Sequence, residues 1–113
     1  MKFVLSFLWL LFPLLSWGEC DALNLIAERY QDLIPSSESV YKVVDTNRVY
    51  FYSAPNEDCK IKNLFIINGD LINLYAEYKG FSSVVFFKKN GEPVSGWIHS
   101  KSILPTSKGD GPE

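Results

Sequence analysis

Histidine is nearly absent from this sequence, and so is any spacing that would build a metal site. His99 is the one histidine in 113 residues, and the two cysteines, Cys20 and Cys59, stand far apart in no zinc-type pattern. No glycine-rich phosphate loop and no calcium-loop pattern occurs, so no cofactor is expected. Positive charge is in short supply too: 11 Lys+Arg stand against 13 Asp+Glu, for a net charge of −2. That balance gives no electrostatic reason to expect nucleic acid or an anionic membrane surface as partner. Internal repeats and low-complexity blocks are missing. No apolar run reaches the length of about 20 residues needed to cross a bilayer as a helix.

Catalytic machinery is equally thin. A nucleophile needs a base within reach, and no serine or free cysteine forms a recognisable pair with His99. A hydrolase using His99 is the most remote of the readings. Glu57 and Asp58 stand in a turn beside Lys60; an acid–base dyad would need a cleft that raises one pKa. The sequence reads as a non-enzyme.

What is present begins at the N-terminus. "MKFVLSFLWLLFPLLSWGEC" carries Lys2, an apolar run from Phe3 to Leu15 broken by Ser6, and small residues at Ser16 and Gly18. This is the order of parts in a secretory signal, with residues 1–18 as leader and the cut before Glu19. A lipid anchor on Cys20 is the rival, opposed by Glu19, where a small residue should precede the cysteine, and by Trp17. Removing Lys2 with the leader leaves 10 basic and 13 acidic residues, a mature charge of 10 − 13 = −3. The expected compartment is the periplasm, with release from the cell as the alternative. In either place a Cys20–Cys59 disulfide is the default for an even cysteine count. A chain this short is a single domain with a modest core, expected as a monomer.

Two structural signals divide the remainder. Residues 19–35 read as an amphipathic helix: Asp21 can cap it, Leu23, Ile26, Ala27, Tyr30, Leu33 and Ile34 recur at three and four, and Pro35 ends it. Its stripe is expected to pack on the rest of the domain; a dimer face or an insert for a partner's groove is the sharper alternative. Residues 40–105 then carry short runs rich in Val, Ile, Phe and Tyr, namely "VYKVV", "RVYFYS", "LFII", "LINLYAEY", "SSVVFFKK" and "VSGWIHS". Turn signals separate them, including Gly69, Lys79-Gly80 and the hairpin pair Asn90-Gly91. The fold class expected is mainly β, a small barrel with one helix in front. Residues 106–113 are polar and rich in Gly and Pro, which predicts a disordered tail.

The order of "VYFYSAP", "NGDLINLYAEYKGF" and "KNGEPVSGWIHSKSIL", spanning Thr46 to Leu104, resembles the bacterial SH3-like family. That family runs from a Leu-x-Val-Arg-Ser-Gly-Pro strand through an Asn-Gly-Trp turn to a closing Gly-Trp-Val and a short last strand. Here Tyr52 replaces the usual Arg, Ala54 the Gly before Pro55, and Phe81 the turn Trp. Cys59 and the leading helix lie outside the pattern. The resemblance implies an SH3-like barrel with Val49 and Phe51 facing in and Tyr50 and Tyr52 facing out. Ile72 and Leu74 would also face in, with Leu71, Asn73 and Tyr75 out, and Trp97 and Ile98 must part to opposite faces.

More large apolar groups result than one small barrel can hold. Two readings of the surplus stand open. Tyr50, Tyr52, Tyr78 and Phe81, with Asn56, Glu57 and Asp58 on the adjoining loop, could line a groove for a peptide. Alternatively Tyr50 and Tyr52 pack under the helix. By resemblance the groove's ligand would be a peptidoglycan peptide or an envelope protein. A lone exported domain also suits an inhibitor or immunity protein that blocks a toxin, effector or cell-wall hydrolase.

Overall fold

The computed structural model describes residues 15–36 and 39–106. It is mainly β: a helix, α1 (Leu15–Tyr30), precedes one antiparallel sheet of eight strands curled into a half-barrel. The strands are β1 (Asp32–Leu33), β2 (Val40–Val43), β3 (Val49–Tyr52), β4 (Lys60–Ile66), β5 (Leu71–Tyr78), β6 (Phe81–Phe87), β7 (Pro93–His99) and β8 (Ile103–Pro105). Hydrogen-bonded neighbours run β4-β3-β7-β6-β5-β2-β8, and β1 adds to β5. Single 3-10 turns lie at Glu57–Cys59 and Ser100–Ser102.

The strands form where β-branched and aromatic residues alternate with polar ones, and the turns between them set the register. Tyr78 pairs with Phe81, so Lys79 and Gly80 make a two-residue hairpin, with φ at +48° and +85°. Both angles are left-handed, as the turn that matches strand twist requires. The Asn90-Gly91 hairpin is longer than a two-residue turn. Gly91 N–H donates to Lys88 O at 2.8 Å, Lys88 N–H donates to Glu92 O at 2.9 Å, and Gly91 alone of the pair has positive φ, +89°.

Alternation then fills the inner face. Phe51, Leu74, Val84, Ile98 and Val43 are wholly buried there, joined by Val49, Ile66, Ile72 and Ile103. Full burial of a side chain of this size stabilises by about 1.5–3 kcal/mol. Close contact explains the glycine at position 96 in β7: a Cβ there would meet Phe51 Cδ2 at 3.0 Å and the Tyr52 carbonyl oxygen at 3.3 Å. Ile72 and Leu74 face in, while Leu71, Tyr75 and Phe87 face water, as period-two alternation dictates.

The helix departs from its expected bounds. It stops at Tyr30 instead of running to Pro35, because Asp32 and Leu33 pair with Glu77 and Ala76 of β5, and Ile34 N–H donates to Tyr75 O at 2.8 Å. Ile34 also precedes proline, which disfavours helical backbone there. Strand pairing therefore wins over helical spacing. The expected stripe is rotated in consequence: Ile26, Tyr30 and Leu33 are exposed, whereas Ala27 is wholly buried and Cys20, Leu23 and Asn24 are half-buried. Those four stand at i, i+3, i+4 and i+7, one helix face.

Thr106 is held by the sheet, its N–H donating to Val40 O at 3.1 Å, so it does not begin the tail. The expected disorder of residues 107–113 lies outside the described residues, as do residues 1–14 of the expected leader; its last residues open α1.

Candidate binding site

A second apolar cluster lies on the opposite face of the sheet from the inner core. Tyr52 of β3, Phe81 of β6 and Trp97 of β7 meet Ala27 of α1, and Tyr50 and Tyr78 pack partly buried against them. Trp97 and Ile98 thus part to opposite faces, and so do Tyr52 and Phe51. Two ties hold the helix over this cluster. The Cys20–Cys59 disulfide joins α1 to the 3-10 turn after β3, with Cα atoms 5.8 Å apart. Trp97 Nε1–H donates to Asn24 Oδ1 at 2.7 Å, so the indole N–H is satisfied beneath the helix.

This roof corrects one expectation. Tyr52 and Phe81 face away from the barrel core, as predicted, yet they are only 3 % and 8 % exposed. Alternation decides which face a side chain takes; it does not decide whether another element covers that face. The two residues form a floor rather than an open groove.

At the margin of the floor the polar groups converge. Glu57 Oε2 lies 2.8 Å from His99 Nε2, and Tyr52 Oη lies 3.2 Å from both Glu57 Oε1 and His99 Nε2. The shortest contact assigns the Nε2 hydrogen to the carboxylate, and the Tyr52 hydroxyl then donates to the other carboxylate oxygen. Burial raises the Tyr52 phenol above its ordinary pKa of 10.0, and the Glu57 charge and hydrogen bond add to the rise. The imidazole is packed as well, with ring centroids 4.6 Å from Phe81 and 5.2 Å from Tyr52.

The expected site residues therefore sort into three groups. Tyr52, Phe81 and Glu57 come together around His99. Tyr50 and Tyr78 rim that cluster, half-exposed. Asn56 instead caps the 3-10 turn, its Oδ1 accepting Asp58 N–H at 2.8 Å, and Asp58 points to an open cleft of about 580 Å³ that Cys20, Asp21 and Lys60 also line. Trp97, Asn24, Ala27 and His99 complete the cluster and were not among the expected binding residues. The parity of Trp97 against Ile98 was the available signal for the first; nothing local marks Asn24.

Ser100, the residue after His99, shares a 2.7 Å hydrogen bond with Ser82 Oγ, while Glu57 takes up His99 Nε2. No group of three or more His, Cys, Asp or Glu suited to a metal ion occurs among the described residues. The disulfide fits an oxidising compartment. No helix of the described residues is long and apolar enough to cross a membrane. No protein-family model, no curated protein and no solved structure matches the chain.

Proposed function

We propose that the chain is an exported, non-catalytic binding module of SH3-like type that docks a peptide or protein of the cell envelope at the aromatic rim of Tyr50, Tyr78, Glu57 and His99. The observation that supports this reading is the rim itself. Half-exposed rings and an exposed carboxylate stand on a rigid floor of Tyr52, Phe81 and Trp97, and preformed aromatic surface with a few polar groups is what peptide sites use. Peptidoglycan peptides or a periplasmic protein are the ligands this reading favours.

Retention of the purified protein on purified peptidoglycan, compared with Tyr78→Ala, tests it. The variant is expected to elute early while its circular dichroism is unchanged; equal retention of the two proteins would refute the rim. Tyr52→Ala and Phe81→Ala are unsuitable for this purpose, because emptying the floor costs about 3–5 kcal/mol of stability.

An inhibitor or immunity role for a toxin or cell-wall hydrolase is favoured by a different feature. Leu25, Ile26 and Tyr30 protrude from α1 beside a hollow of about 470 Å³, a convex apolar ridge of the kind that enters a partner's cleft. In that case Ile26→Asp would abolish inhibition of the cognate hydrolase, and full inhibition by the variant would dismiss the ridge.

A further inference from the structure

Four side chains stand in a row over β3 and β4. The Arg48 guanidinium lies 4.5 Å over the Phe65 ring. Phe65 meets Tyr50 edge-on with centroids 5.6 Å apart, and the Lys60 ammonium lies 4.7 Å over the Tyr50 ring. Lys62, also on β4, is a third exposed cation nearby. Among the described residues the ion pairs are Lys88–Glu92 and His99–Glu57, so Arg48, Lys60 and Lys62 make none there, although Asp21 and Asp58 line the cleft that Lys60 borders. On a chain of net charge −2, this row is a local reversal of sign.

The backbone beneath it is open too. Among the described residues β4 is the end strand of the sheet and pairs only with β3, through Val49↔Ile66, Tyr50↔Phe65 and Tyr52↔Lys60. Residues 61–64 fall in the register shift and have no ladder partner there. An end strand offers N–H and C=O groups to any extended chain that reaches it.

The geometry points to a docking site on β4 for an extended acidic peptide segment of a partner protein. Its carboxylates meet Arg48, Lys60 and Lys62, and its main chain bonds to the free edge of β4. Arg48 and Lys60 already rest on the Phe65 and Tyr50 rings, so fixing these two on a ligand forfeits less side-chain freedom. Charge selects the occupant. A second copy would set Lys60 and Lys62 against their own kind, which is how edge lysines prevent self-pairing. A nucleic acid would use the cations but leave the strand edge idle, and three cations fall short of the roughly 6–10 phosphate contacts of a strong binder. The inference rests on the reading of the chain as a binding module and gives a ligand of that module its sign of charge. It uses residues other than Tyr78, so the two can fail separately.

The test is an amide chemical-shift titration of the full chain with a capped octapeptide of alternating Glu and Val. Shifts are expected in the amides of residues 60–66, with affinity falling as salt is added. The double variant Lys60→Glu, Lys62→Glu should bind at least about tenfold more weakly, since each exposed charge pair contributes modestly and its reversal adds repulsion. A peptide with Lys in place of Glu should give no shifts, and one N-methylated at alternate residues should bind about tenfold more weakly, having lost its strand-pairing hydrogens. Shifts absent from β4 would overturn the proposal. So would equal affinity of the N-methylated peptide, or a sulfated oligosaccharide that binds the same residues as tightly.

Discussion

The Tyr52 hydroxyl sits between Glu57 and His99 at 3.2 Å from each, at the margin of the covered aromatic floor, and that placement governs when it ionises. Burial disfavours phenolate, and the adjacent Glu57 carboxylate opposes a second negative charge, so the folded pKa lies above 10.0. Above that ordinary value the unfolded chain releases the Tyr52 proton while the folded chain keeps it. The folded state then binds more protons, and stability must fall as pH rises from 10.0 through the folded pKa. Below pH 10.0 the contribution is fully present. Tyr52→Phe should therefore show a shallower loss of urea midpoint across that alkaline window than the parent protein. Identical slopes would mean that Tyr52 is open to water. Asp45 follows the opposite sign at the acid end. The Asn47 backbone N–H and then the Ser102 hydroxyl hold its carboxyl below 3.8, so its contribution is present above that value and lost as pH falls through the folded pKa.

At the scale of elements, α1 is tied to the sheet at few described points. Among its described side chains Ala27 is the one wholly buried, and the other described ties are the disulfide and the Asn24–Trp97 hydrogen bond. A helix of this length is marginal without such ties. Asn24→Ala would leave the Trp97 N–H buried without an acceptor, at a cost of about 1–3 kcal/mol. Asn24→Asp keeps an oxygen in place and should recover part of that loss, as read by urea unfolding followed through Trp97 fluorescence. An unchanged midpoint in Asn24→Ala would show that water replaces the asparagine. The strands were legible from sequence because period-two alternation is local: it parts Trp97 from Ile98 and Phe51 from Tyr52, while the inward choice of Phe51, Ile72 and Leu74 came from the family resemblance and agrees with their burial. The end of α1 was not, since Leu33 and Ile34 continue the helical spacing while β5 captures their backbone. Asn24 was equally hidden. A polar residue beside an apolar stripe reads as solvent-facing until the indole opposite it is known. For the site, the sequence brought Tyr52, Phe81 and Glu57 into one neighbourhood, but the roof over Tyr52 and Phe81 depends on where a distant helix is tied.

Across the whole molecule, two apolar clusters share strands β3, β6 and β7 but differ in what closes them. The inner one draws its buried members from β2 to β8 alone, and the outer one needs Ala27 of α1. Only the outer cluster depends on the bridge between Cys20 and Cys59, which are separated by 39 positions. A cross-link over that span stabilises by roughly 4 kcal/mol on the chain-entropy model. Reduction should release α1 first, because its remaining ties are few, and the curled sheet should persist on its own core. Regions with few buried contacts open at lower free energy than the core that carries them. Hydrogen–deuterium exchange in reductant should therefore show faster uptake at residues 20–30 and 53–59. Uptake should stay near the oxidised rate across residues 71–87, where β5 and β6 pair in a hairpin interrupted by one register shift between Leu74 and Ala76. Equal acceleration in β5 and β6 would mean that helix and sheet unfold as one unit, with the outer cluster as much a part of the core as the inner one. With α1 released, Tyr52, Phe81 and Trp97 become a continuous aromatic surface bordered by Tyr50 and Tyr78. Whether the reduced sheet survives thus decides whether the aromatic face exists as a separable surface at all, or only as the inside of a single cooperative fold.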